Sequence, residues 1–205
     1  MKNKTRTIAL DALFIAVILI LTFVPYIGFF PLGAVSITTI TIPVFVGAYI
    51  LGWKRGMFYG LMFGLSSFTR SFMSYVTPAD PLFQNPLVSI LPRVLFGLFV
   101  GLMYYALKKI ENEKKRKVLL PVFTLIGSLF HSVVTLLALC IFNPTFWPYL
   151  LTILGTNSIL EAVFAAIIVP LIIASLRPYV YKYNENLRPS LDVNKTKTEV
   201  VNEQK

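Results

Sequence analysis

The sequence predicts an all-α integral membrane protein, a bundle of six transmembrane helices with both termini in the cytoplasm. Three observations predict it. Of the 205 residues, 56% are hydrophobic and only 14% charged, and the mean hydropathy is +0.73, a balance that a water-soluble domain does not keep. The apolar residues gather into six runs, each closed by charge, proline or glycine where a membrane helix would end. Seventeen of the 19 lysines and arginines, all but Arg70 and Arg93, lie before the first run, at the junction of the second and third, between the fourth and fifth, or after the sixth.

The runs fall at about 8–27, 38–52, 55–72, 87–107, 118–141 and 151–176. The first follows Lys2, Lys4 and Arg6 and has the basic start of a secretory leader. It lasts about 20 residues with no small-residue cleavage site behind it, and so reads as a retained helix. The second is short and contains Pro43, which points to a kinked or partly buried helix. The third opens after Lys54 and Arg55, and the fourth closes on the basic stretch from Lys108 to Lys117. Residues 1–183 are expected to form a single membrane domain. Residues 184–205, polar and without apolar period, are expected to form a disordered cytoplasmic tail.

This charge distribution sets the orientation. Basic residues mark cytoplasmic loops, whereas the segments 28–37, 73–86 and 142–150 hold no lysine or arginine and a single acid, Asp80. The net charge of +10 is therefore a topology signal. It is divided over four segments with no folded basic domain, which argues against a nucleic-acid partner and for a lipid bilayer. The expected location is the plasma membrane. One cysteine, Cys140, and one histidine, His131, exclude a disulfide framework and a multi-Cys/His metal site. No phosphate-binding loop, zinc-protease or nucleophile-elbow motif occurs, so neither an enzyme nor a cofactor bound by this chain is expected.

Charge inside the apolar runs is the sharpest functional signal, because an ionised group at depth costs several kcal/mol unless paired or solvated. Arg93 lies about six residues in from the outer end of the fourth run and Glu161 about ten in from the outer end of the sixth. They could meet as a structural ion pair, or Arg93 could take a substrate carboxylate as a bidentate fork. Asn157 and Glu161, four apart, share a helix face and give the sixth run an inward polar stripe. Arg70 ends the third run, where snorkelling to headgroups competes with a site role. His131 is a possible contact, with a neutral ring bonded to a backbone carbonyl as the plainer reading.

The outer segments are rich in aromatics and proline: Phe29, Phe30, Phe72, Phe83, Phe142, Phe146, Trp147 and Tyr149, with Pro81 and Pro86. They suit either an interfacial belt or the walls of an outward-facing pocket closed by a proline-stiffened lid, with Asp80, Gln84 and Asn85 as polar anchors. Gly52, Gly56, Gly60 and Gly64 recur every fourth residue, and Gly97 with Gly101 repeats the spacing. Such ridges let helices approach closely, here for internal packing. Ala9, Ala12 and Ala16 form another small-residue face near the cytoplasm.

Six helices, cytoplasmic termini, the Ala-x-x-x-Ala face and aromatic outer loops together resemble the S component of an energy-coupling factor (ECF) vitamin transporter, over residues 8–176. IPVFVGAYILGWKRGMFYGLMFGLSSF (Ile42 to Phe68), LPRVLFGLFVGLMY (Leu91 to Tyr104) and GTNSILEAVFAAIIVP (Gly155 to Pro170) look most like its pantothenate-specific branch. The resemblance implies a subunit that captures a vitamin from outside. A transmembrane scaffold and two ATPase subunits, which use the ATP, would then drive uptake, with the Ala9, Ala12 and Ala16 face docking on the scaffold. Pantothenate offers a carboxylate, two hydroxyls and an amide, for which Arg93, Asn157, Glu161 and Asn85 are candidate partners. Residues 28–39 are expected to close the pocket, with Thr38 and Thr39 as polar contacts. Other vitamins or precursors, riboflavin, a pyrimidine precursor or folate, fit the same class. Two further classes compete: an autonomous secondary transporter, disfavoured by the lack of an inverted repeat, and a ligand-free assembly subunit with Arg93 and Glu161 as a mutual pair.

Overall fold

The structure is a computed structural model and describes residues 2–24, 27–32, 35–73, 77 and 79–183. Helix α1 (Lys2–Phe23) leads into a two-stranded antiparallel hairpin, β1 (Phe29–Leu32) and β2 (Val35–Thr38), with Phe29 opposite Thr38. Helices α2 (Thr41–Leu51) and α3 (Trp53–Arg70) follow, then a 3-10 turn over Asp80–Gln84 and the short α4 (Pro86–Ser89). Next come α5 (Leu91–Lys108) and α6 (Glu113–Phe142). A second 3-10 turn, Pro144–Tyr149, leads to α7 (Leu150–Ile153), a π turn at Leu154–Ser158 and α8 (Ile159–Tyr183). The expected tail, 184–205, lies outside the described residues.

Helix dominates as expected, and the hairpin is the departure. The β-branched Val35, Ile37 and Thr38 suit an extended segment, so the second apolar run starts its helix at Thr41 rather than 38. Helix α2 has 11 residues, about 16 Å at 1.5 Å per residue, roughly half the thickness of a hydrocarbon core. From Pro43 to Ile50 every residue is buried, as expected of a helix apolar on all sides. Pro43 sits in its first turn, where a missing N–H leaves no helical bond unmade. The buried alternative for this run is the one observed, with no kink needed to explain it.

Around α2 the other helices pack their apolar faces. The main core joins Phe14 and Ile18 of α1, Val44 and Phe45 of α2, Tyr59 and Phe63 of α3, Phe96 and Tyr104 of α5, and Val169 of α8. Phe45 and Phe96 meet edge to face with ring centroids 5.0 Å apart. Helices α3 and α5 share the most extensive contact, because both present glycine. A Cβ at Gly56 would collide with the Gly97 carbonyl, one at Gly60 with that of Arg93, one at Gly64 with the Ile90 backbone, and one at Gly101 with Trp53. Internal packing therefore explains these five glycines, counting Gly97. Gly52 is different. Nothing lies within 4 Å of a Cβ built there, but its φ of +94° turns the chain between α2 and α3, so it is a turn residue, not part of the ridge.

Among the described residues three helical stretches, Pro86–Lys108, Glu113–Phe142 and Pro144–Leu176, are long and apolar enough to cross a bilayer. Large apolar side chains, among them Leu102, Ile126, Ile141, Ile167 and Leu171, remain exposed along them, an arrangement that suits lipid better than water.

Candidate functional site

A cavity opens between α3, α5, α6, the hairpin and the start of α8, with an empty volume of ≈ 690 Å³ that includes its open mouth. Helix α3 supplies Ser67 and Arg70, α5 supplies Arg93, α6 supplies His131, Ser132 and Thr135, and the π turn and α8 supply Asn157, Ser158 and Glu161. Phe29 and Phe83 wall it, and Thr38 and Asp80 complete the polar lining. A smaller apolar cluster of Val88, Leu136, Leu139 and Ile153 packs beside it.

Arg93 is 3% exposed. Its Nη1 donates to the Val88 carbonyl at 2.7 Å, and its guanidinium lies 4.6 Å from the centroid of the Phe83 ring and 5.5 Å from that of Phe63. Its Nε has no hydrogen-bond partner. Among the described residues no ion pair within 4.0 Å joins it to a carboxylate. Of the two alternatives for Arg93, the structural ion pair with Glu161 is thus not formed. Glu161, 6% exposed, instead accepts the backbone N–H of Thr38 on Oε2 at 3.2 Å. Its Oε1 lies 3.5 Å from His131 Nδ1, and neither atom makes a hydrogen bond. The plainer reading of His131, bonded to a backbone carbonyl, is not what is found: both ring nitrogens are buried without partners, and the ring packs against Phe96 and Phe63.

Among the other residues singled out, Arg70 does line the cavity and lies over the Phe29 ring at 4.1 Å, so its cation closes the rim where the hairpin meets α3. Asn157 is buried and lines the cavity, with Oδ1 accepting from Thr156. Asn85 and Thr39 stand outside the lining. The Asn85 side chain caps α4 by accepting the Leu87 N–H, and the Thr39 hydroxyl donates to the Ile27 carbonyl at 2.9 Å. Of the polar anchors proposed for the outer segment, Asp80 lines the cavity while accepting from Thr77 N and Oγ1, and Gln84 donates to the Ser71 carbonyl. The outer aromatics divide: Phe29 and Phe83 form wall, whereas Phe72, Trp147 and Tyr149 are exposed.

Sequence reasoning passed over Ser67, Ser132, Thr135 and Ser158. A signal existed in the fifth apolar run, where Ser128, His131, Ser132 and Thr135 stand at i, i+3, i+4 and i+7, one continuous face, and all four are buried. Ser67, Arg70 and Ser71 repeat the spacing at the end of α3.

Such a cavity, walled by aromatics and lined with hydroxyls and one unpaired buried cation, defines a membrane protein that holds a small polar solute. The model of the ECF transporter, substrate-specific component family matches residues 6–173, and the chain belongs to that family, a transporter component rather than an enzyme. The resemblance read from the sequence is borne out. The Pantothenate transporter PanT of Leuconostoc mesenteroides subsp. mesenteroides is 30% identical over 183 residues, covering 82% of this chain and 90% of that protein. The Pantothenic acid transporter PanT of Lactococcus lactis subsp. cremoris is 31% identical over 194 residues, covering 85% and 95%.

Proposed function

We propose that this chain is the S component that captures pantothenate from outside the cell and delivers it through an ECF scaffold and two ATPase subunits. In this reading the chain crosses the plasma membrane six times with both termini cytoplasmic, and the cavity faces outward. Any ATP is used by the partner subunits. The exposed Ala9, Ala12 and Ala16 are the docking face toward the scaffold: they lie on the side of α1 opposite the buried Phe14 and Ile18.

The observation that carries the substrate is Arg93. A guanidinium held in a buried aromatic cradle with Nε unpartnered and no carboxylate of the protein within ion-pair distance is matched to a carboxylate brought by the ligand. The hydroxyls of Ser132, Thr135 and Ser158 suit the neutral remainder, an amide and two alcohols. The two relatives named for pantothenate align with 82% and 85% of this chain, which supports the same vitamin.

The test is calorimetric titration of the purified chain with pantothenate, riboflavin, thiamine and folate. Pantothenate alone should bind, one to one and without ATP. Arg93→Ala should weaken it by about 30- to 100-fold, the worth of a charge-assisted hydrogen-bond pair. An Arg93→Ala chain that folds and keeps full affinity would sink the carboxylate assignment, and binding of another vitamin would sink pantothenate.

A further inference from the structure

Glu161 has a divided carboxylate. Oε2 is engaged by the Thr38 N–H of the hairpin, which fixes the group's orientation, while Oε1 is buried in the cavity lining with no donor. The protein groups nearest that oxygen do not satisfy it: His131 Nδ1 stands 3.5 Å away without a hydrogen bond. A buried acceptor left unmade is costly, more so when charged. The lone oxygen therefore calls for a donor from the ligand, an O–H or N–H.

We propose that Glu161 is the specificity-determining residue for the ligand's hydroxyl end, accepting a hydrogen bond from a free alcohol and rejecting the phosphate ester of that alcohol. This inference rests on the pantothenate reading above. A free hydroxyl donates to Oε1, whereas its phosphate ester has lost the donor and sets an anion against the buried carboxylate. Like charges at close range in a desolvated site repel strongly. Arg93, facing the same cavity, is occupied by the ligand's own carboxylate and is not available to neutralise a second anion. The pocket thus discriminates by one oxygen atom between an unmodified hydroxy acid and its phosphorylated form.

The experiment titrates three ligands into the full-length chain in detergent: pantothenate, the analogue with both hydroxyls replaced by hydrogen, and the phosphate ester of the primary hydroxyl. Wild type should bind pantothenate at least about 100-fold more tightly than the ester, and about 10- to 100-fold more tightly than the deoxy analogue. Glu161→Gln keeps shape and an acceptor oxygen but removes the charge. It should weaken pantothenate about 10-fold and narrow the gap to the ester by at least that factor. Glu161→Asp keeps the charge on a shorter arm, and should lose affinity while still rejecting the ester, with melting curves confirming that both variants fold. If pantothenate binds and depends on Arg93, but Glu161→Gln leaves all three affinities unchanged, the Glu161 assignment is overturned and the functional reading stands. Equal wild-type binding of ester and free acid also overturns it. No pantothenate binding by folded wild type removes both.

Discussion

Gly60 and Arg93 meet backbone to backbone: a side chain on Gly60 would overlap the Arg93 carbonyl oxygen. The glycine ridge of α3 and the cation of the cavity are therefore one structural unit. The close approach of α3 fixes the turn of α5 on which Arg93 stands, and Phe63, one turn beyond Gly60 on α3, is one of the two rings under its guanidinium. Gly60→Val should force the helices apart and cost about 1–3 kcal/mol of stability, as overpacking does. Thermal melting in detergent reads this, and binding should fall along with it. Gly52→Ala, by contrast, meets no atom and should act only through its left-handed backbone, at about 1 kcal/mol.

The hydroxyl stripe of α6 makes a second expectation. Ser132 and Thr135 line the cavity, and Thr135 Oγ1 has no partner within the protein. Thr135→Val preserves volume and removes only the hydroxyl. Ligand affinity should fall about 3- to 10-fold, one neutral hydrogen bond, while the melting temperature holds or rises because an unsatisfied buried group has gone. A variant with lower stability and unchanged affinity would make Thr135 structural.

Much of this was legible in the sequence, and the reasons for the rest are physical. Apolar run length located the helices α1, α2, α3, α5, α6 and α8 because a helix satisfies its own backbone wherever the chain is apolar. The charges at Arg93 and Glu161 stood out against that background. The hairpin did not, since four-residue strands within an apolar segment carry no period of their own. Thr39 was singled out together with Thr38, yet only Thr38 lines the cavity, because Thr39 lies just past the end of β2 and its hydroxyl is turned to the Ile27 carbonyl. Asn85 precedes Pro86, and an Asn before a helix-starting proline is explained by capping alone.

At the other end of α3 the fold is clasped by charge. Asp11 of α1 forms an ion pair with Arg55 and accepts the Tyr59 hydroxyl at 2.5 Å. With the Asp11 side chain 16% exposed and that of Arg55 35% exposed, the pair is partly desolvated. A double-mutant cycle on Asp11→Asn and Arg55→Gln, read by thermal melting, should give a coupling of about 1 kcal/mol, at the upper end of the range for exposed pairs. Ligand affinity should be unchanged, because neither residue lines the cavity.

The same clasp orients the outward face of α1. Asp11 and Phe14 hold one side against the core, which leaves Ala9, Ala12 and Ala16 exposed together on the other, flanked by the exposed Leu13 and Ile20. Small residues on an exposed face are of use to close helix approach and of little use to the isolated chain. Ala12→Trp with Ala16→Trp should therefore leave melting temperature and pantothenate affinity within error of wild type, since neither position touches the core or the cavity. Co-purification with scaffold and ATPase subunits should be lost, as the added rings hold the helices several ångströms apart. Retention of the assembled complex by the double variant would place the docking surface elsewhere on the chain.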